Sequence, residues 1–161
     1  MFSGEEIKLL AATYETLVGR THLLDVFSGK KWKDTGIENW VQTELIVAFV
    51  DRGYNVTTIG KRNRDCDLIV KKEKAKLDVG IEIKTITHAS YFKQILVKQG
   101  LEKHCNADLF IFLAKVDDKV LKELTEYFRQ QNYSEERKML NEKWMIMLVK
   151  KPPNQLNVYD K

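Results

Sequence analysis

Two short apolar runs in this chain each carry acid chemistry, Asp67-Leu68-Ile69-Val70 and, further along, Ile81-Glu82-Ile83-Lys84. Side chains two apart on a strand share a face, so Glu82 and Lys84 point together while Ile81 and Ile83 point to the opposite layer. A carboxylate then stands beside an ammonium. With the run bearing Asp67 alongside, one edge of a sheet gathers two carboxylates and a lysine, enough to hold a hard divalent cation and position an attacking water. The chemistry would be metal-assisted hydrolysis of a phosphodiester, in which charge on the attacked phosphate must be stabilised and a nucleophile made available near neutral pH.

A third acid belongs to the preceding element. From Ile37 to Arg52 the apolar residues Trp40, Val41, Leu45, Ala48 and Phe49 recur at helical spacing. Glu44 sits among them, between Trp40 and Ala48 on the helical projection, so its carboxylate is directed inward. A buried charge needs a partner. The plain reading of Glu44 is a salt bridge to a nearby lysine or arginine; the functional one is a third acidic group leaning over Asp67 and Glu82.

The elements that must position these groups follow from periodicity and punctuation. Ser3-x-x-Glu6 has the spacing of a capping box and opens a helix over about 4–18, with Ile7, Leu10, Ala11, Tyr14, Leu17 and Val18 at helical intervals. Gly19 is a natural stop, and His22 to Trp32 shows no clear period. The Ile37–Arg52 helix ends at Gly53. Strands are expected over 54–59, 66–70 and 77–85, with Lys71 to Lys76 as a charged hairpin loop. A helix over 90–105, a buried strand over 109–113, a helix marked by Val120, Leu124 and Phe128 over 118–131, and a last strand over 144–149 complete the order.

Composition narrows the class. At 161 residues the chain suits one compact domain, and 43% hydrophobic with 31% charged residues argues against disorder for its bulk. No apolar run is long enough to span a bilayer, and the start lacks the basic and apolar regions of a signal peptide, so a cytoplasmic protein without membrane contact is expected. Cys66 and Cys105 are too few and too scattered for a disulfide framework or zinc, and each reads as a buried thiol; His104 beside Cys105 does not make a ligand pair. The net charge of +4 fits nucleic acid without demonstrating it. Basic residues bunch at 30–33, at 61–64 and at 71–76. Any one bunch reads equally as a solvated surface; the middle one, Lys61, Arg62 and Arg64, immediately precedes Asp65 and Asp67 and could hold a phosphate backbone over the carboxylates.

An acidic helix ahead of Asp67, then Glu82-x-Lys84 on the next strand, resembles the PD-(D/E)xK nuclease superfamily over about residues 37–114. The nearest look is to archaeal Holliday junction resolvases and small restriction endonucleases, through the Glu44-Leu45 helix ending at Gly53-Tyr54, Asp67-Leu68-Ile69, Ile81-Glu82-Ile83-Lys84, and Gln94 ahead of the strand at Leu109 to Leu113. Cys66 stands where the family motif has its proline. The resemblance implies an α/β fold with a restriction endonuclease-like core, a mixed central sheet flanked by helices in the order αβββαβ. That core would occupy 37–116 of a single domain spanning 1–161, with a helical extension over 1–36 and a helix and strand over 117–161.

The resemblance further implies that Asp67, Glu82, Glu44 and the backbone carbonyl of Ile83 hold Mg²⁺ or Mn²⁺. Lys84 would orient or activate the hydrolytic water, giving a catalytic set of Asp67, Glu82, Lys84 and Glu44. Lys61, Arg62, Arg64, Gln94 and Lys98 would contact the nucleic acid. The expected activity is a Mg²⁺-dependent deoxyribonuclease acting as a homodimer; the apolar helices at 4–18 or 118–131 could build its interface, and the first helix could equally pack on its own sheet. The alternative is a non-catalytic nucleic-acid-binding or assembly module of the same fold.

Overall fold

The computed structural model of the protein describes residues 1–27, 34–58, 66–86 and 107–153. It is an α/β structure built on an open, mixed sheet. The helices are α1 (Gly4–Val18), α2 (Thr21–Phe27), α3 (Asp34–Asp51) and α4 (Asp118–Gln130). The strands are β1 (Asn55–Thr58), β2 (Leu68–Lys72), β3 (Leu77–Ile86), β4 (Leu109–Lys115), β5 (Ser134–Met139) and β6 (Trp144–Lys150), in the spatial order β1-β2-β3-β4-β6-β5. β1, β2 and β3 form an antiparallel meander, β4 runs parallel to β3, and β6 is antiparallel to both β4 and β5.

Period-two alternation divides the core into two layers. Ile81, Ile83, Leu109, Ile111, Leu113, Ile146 and Leu148 face the side covered by Leu9, Leu10 and Leu17 of α1 and Ile37, Val41, Leu45 and Phe49 of α3. The intervening Phe110, Phe112, Met145, Met147 and Val149 pack with Val120, Leu124 and Phe128 of α4 on the other side. Both faces of the central strands are therefore covered, and their sequences read as continuous apolar runs. No helix among the described residues is long and apolar enough to cross a membrane.

Local chemistry explains the boundaries. At α1 the Ser3 side chain accepts from the Glu6 amide while the Glu6 carboxylate accepts from the Ser3 amide, so the capping box forms with both of its bonds. α3 hands over to β1 through Gly53, whose φ of 81° lies in the left-handed region that favours glycine. β2 runs to Lys72, further than the sequence implies, so the expected loop over 71–76 shrinks to a single 3₁₀ turn, Glu73–Ala75, closed by Lys76 in the left-handed conformation.

The terminal segments are integral to the sheet. β6 lies between β4 and β5, and α1 packs on α3. The apolar stripes of α1 and α4 pack on their own sheet. The expected helix over 90–105 lies outside the described residues. α2 and β5 were not anticipated. β5 reads Ser-Glu-Glu-Arg-Lys-Met, a polar edge strand whose partner on β6 supplies the order its own residues do not signal.

Candidate active site

The site forms where β2 leaves β3. Their pairing ends at Leu68 opposite Ile81, so β3 continues through 82–86 with β4 on one side and no β2 partner on the other. The parallel register with β4 is pinned at its start, where the Asp108 amide donates to the Gly80 carbonyl at 2.9 Å and the Asp108 carboxylate accepts from the Gly80 amide at 2.7 Å. Glu82 and Lys84 thereby lie beside Phe110 and Phe112.

The unpaired edge of β3 is capped by carboxylates. The Ile83 amide donates to Asp67 Oδ2 at 2.7 Å, and the Thr85 amide donates to Glu38 Oε1 at 3.1 Å with the Thr85 hydroxyl also directed at that oxygen at 3.4 Å. Alternate residues of a strand point their amides to the same side, so these two acids occupy successive positions along one edge. The Ile83 carbonyl faces that edge too, since the N–H and C=O of one residue share a direction in a strand. Asp67 is not within β2 but at the bend just before it, where Gln42 of α3 donates to its backbone carbonyl at 3.4 Å.

Glu82 and Lys84 do share a face, as the alternation requires. Lys84 Nζ lies 2.7 Å from Glu82 Oε1, and the two side chains are 17% and 3% exposed. Burial alone would depress the Lys84 amine, but its hydrogen bond to Glu82 and the charges of Glu82, Glu38 and Asp67 outweigh that and raise it above its ordinary value. Burial raises the Glu38 carboxyl, opposed in part by the Thr85 amide and by Lys84, and Asp67 pushes it further up. One ammonium thus lies within the field of three carboxylates.

Glu44 is not among them. It pairs with Arg20 at 2.5 Å, half-exposed, in a surface cleft of about 370 Å³ between α1 and α3 that also includes Glu15 and Asp51. The acid that α3 delivers to the site is Glu38, one and two-thirds turns earlier and on a different face. Sequence reasoning missed Glu38 because it precedes the densest apolar part of the helix; its i, i+4 relation to Gln42, which also reaches the site, is the signal that could have found it.

Lys61, Arg62, Arg64, Gln94 and Lys98 lie outside the described residues, as do Cys105 and His104. Cys66 is buried. Of the basic bunch over 71–76, Lys71 pairs with Asp78 and Lys72 lies over the Tyr54 ring near Glu5, at the end of β2 remote from Asp67.

An all-carboxylate donor set has the chemistry of a hard cation site, with a preference for oxygen ligands that Mg²⁺ and Mn²⁺ share. Among the described residues, no three His, Cys, Asp or Glu side chains already stand together as a ligand group. Lys84 lies on Glu82, and the strand-edge amides hold Asp67 and Glu38. Comparison of the chain with protein-family models, with curated proteins and with solved structures finds no match.

Proposed function

We propose that the protein is a metal-dependent endonuclease that hydrolyses phosphodiester bonds in DNA. The observation that carries the reading is the convergence of Asp67, Glu38 and the Glu82–Lys84 pair on the one stretch of β3 that β2 leaves unpaired. The meander followed by a parallel fourth strand, with α3 ahead of it, also supports a restriction endonuclease-like core. In this reading Asp67 and Glu82 hold Mg²⁺ or Mn²⁺ with the Ile83 carbonyl at the same edge, and Glu38 replaces Glu44 as the third acid.

The bound ion would supply Lewis acidity toward the phosphate and acidify water. The chain's own groups have separate tasks. Lys84, held cationic by its carboxylates, orients water and stabilises charge on the phosphate. Glu38, held at the strand edge by the Thr85 amide, adds negative charge around Lys84. A homodimer would bring two such sites to the two strands of a duplex.

The Lys84–Glu82 contact favours a second reading, a non-cleaving nucleic-acid-binding or assembly module in which the pair is a structural bridge. Labelled linear duplex, four-way junction and single-stranded substrates incubated with Mg²⁺, Mn²⁺ or EDTA separate the two. Metal-dependent cutting that is lost in Glu82→Ala and Lys84→Ala establishes the nuclease and its substrate class. Binding without cutting under every condition establishes the module.

A further inference from the structure

The Glu82 carboxylate is almost wholly withdrawn from water, and an acid at that depth is tolerated only with positive charge at hand. Lys84 supplies that charge at 2.7 Å. The same ammonium lies in the field of Glu38 and Asp67, which the Thr85 and Ile83 amides hold in place. The cluster thus holds one cation among three carboxylates. A divalent ion taking oxygens from Glu82 and Asp67 would have to enter where a cation already stands, and at short range in a partly buried site two positive charges oppose each other strongly.

Resting on the metal-centre reading above, we infer that Lys84 is a resident counter-cation that a divalent ion must displace from Glu82, so that metal binding and release of the Lys84 amine are one event. Lys84 then sets the metal affinity of the site in addition to any part in hydrolysis. An exchange of one cation for another keeps Glu82 neutralised throughout. It also explains how a site with three acids along a short stretch of strand stays folded when metal is scarce, since like charges so arranged would otherwise repel.

The test is Mn²⁺ binding to the whole protein without nucleic acid, followed by calorimetry and by the paramagnetic resonance of the ion. The parent, Lys84→Met and Lys84→Arg are compared. Removing the competing charge in Lys84→Met tightens Mn²⁺ binding by about tenfold or more, and Lys84→Arg, which keeps the charge, does not tighten it. Equal or weaker binding by Lys84→Met overturns the inference while leaving the metal centre standing. Absence of Mn²⁺ binding in both the parent and Lys84→Met overturns the metal centre itself, and this inference with it.

A second measurement needs no variant and decides the matter if Lys84→Met does not fold. Acylation of the parent protein is followed by peptide mass spectrometry with and without Mg²⁺. Displacement from Glu82 exposes the amine, so Mg²⁺ speeds modification of Lys84 relative to the other lysines. An unchanged or slower rate at Lys84 overturns the inference.

Discussion

Breaking the Glu82–Lys84 pair tests the electrostatic reasoning about the site most directly. Lys84→Met takes the closest positive charge from the buried Glu82 carboxylate, and breaking a buried pair costs up to about 3–5 kcal/mol. Lys84 keeps 17% of its side chain exposed, and water there lowers the cost toward the bottom of that range. Lys84→Met in EDTA at pH 7 is thus expected to lose about 3 kcal/mol, which for a chain of this size lowers the melting temperature by roughly 6–12 °C. Glu82→Gln costs less, because Glu38 and Asp67 still act on the amine it leaves behind.

The double variant, lacking both charges, recovers part of the loss, and the cycle gives a coupling of about 1–3 kcal/mol. The sign of the pH dependence follows from the raised amine. Its stabilisation is fully present below the ordinary lysine value of 10.5 and disappears only as the pH climbs through the higher folded-state value. Urea unfolding of the four proteins at pH 7, repeated at alkaline pH, reads both quantities. Single variants within about 0.5 kcal/mol of the parent, with additive effects, would refute the claim that this pair is buried in a weakly screening environment.

Glu38→Gln is expected to abolish metal-dependent cutting while Glu44→Ala retains it, and the Arg20–Glu44 cycle should show at most about 1 kcal/mol of coupling, as exposed pairs do. Cleavage assays and urea melts on the same preparations check both. The raised Glu38 carboxyl binds more protons folded than unfolded, so its charge weakens the fold increasingly as pH rises through the folded-state value. Glu38→Gln should therefore stabilise at pH 7 and lose that advantage below the ordinary value of 4.5, which thermal melts across pH 4–8 would reveal. Gly53→Ala meets no atom within 4 Å but must adopt a φ of 81°, a conformational cost of about 1 kcal/mol measurable by denaturant titration.

Much of the fold was legible where local chemistry and periodicity agree. The capping box at Ser3 and Glu6 fixed the start of α1, and the continuous apolar runs of β4 and β6 marked strands covered on both faces. Edge strand β5, all polar but for Met139, was not legible, because its order comes from hydrogen bonds to β6 rather than from side-chain burial. The seven-residue α2 escaped for a related reason, since Leu24 is its one buried residue.

The site divides along the same line. Period-two geometry by itself determined that Glu82 and Lys84 share a face and that Ile81 and Ile83 turn to the opposite layer, because the alternation of a strand leaves no other choice. Which acid of α3 joins them could not be read in that way. The apolar residues of α3 spread around much of its circumference, so its rotation is set by how it packs between α1 and the sheet, and that packing sends Glu44 to Arg20 and Glu38 to Thr85. The sequence determined the chemistry available on β3; only the tertiary structure decided that β2 ends at Leu68, leaving the amides of Ile83 and Thr85 for carboxylates to cap, because an unpaired strand edge must find its hydrogen bonds in whatever the fold brings alongside.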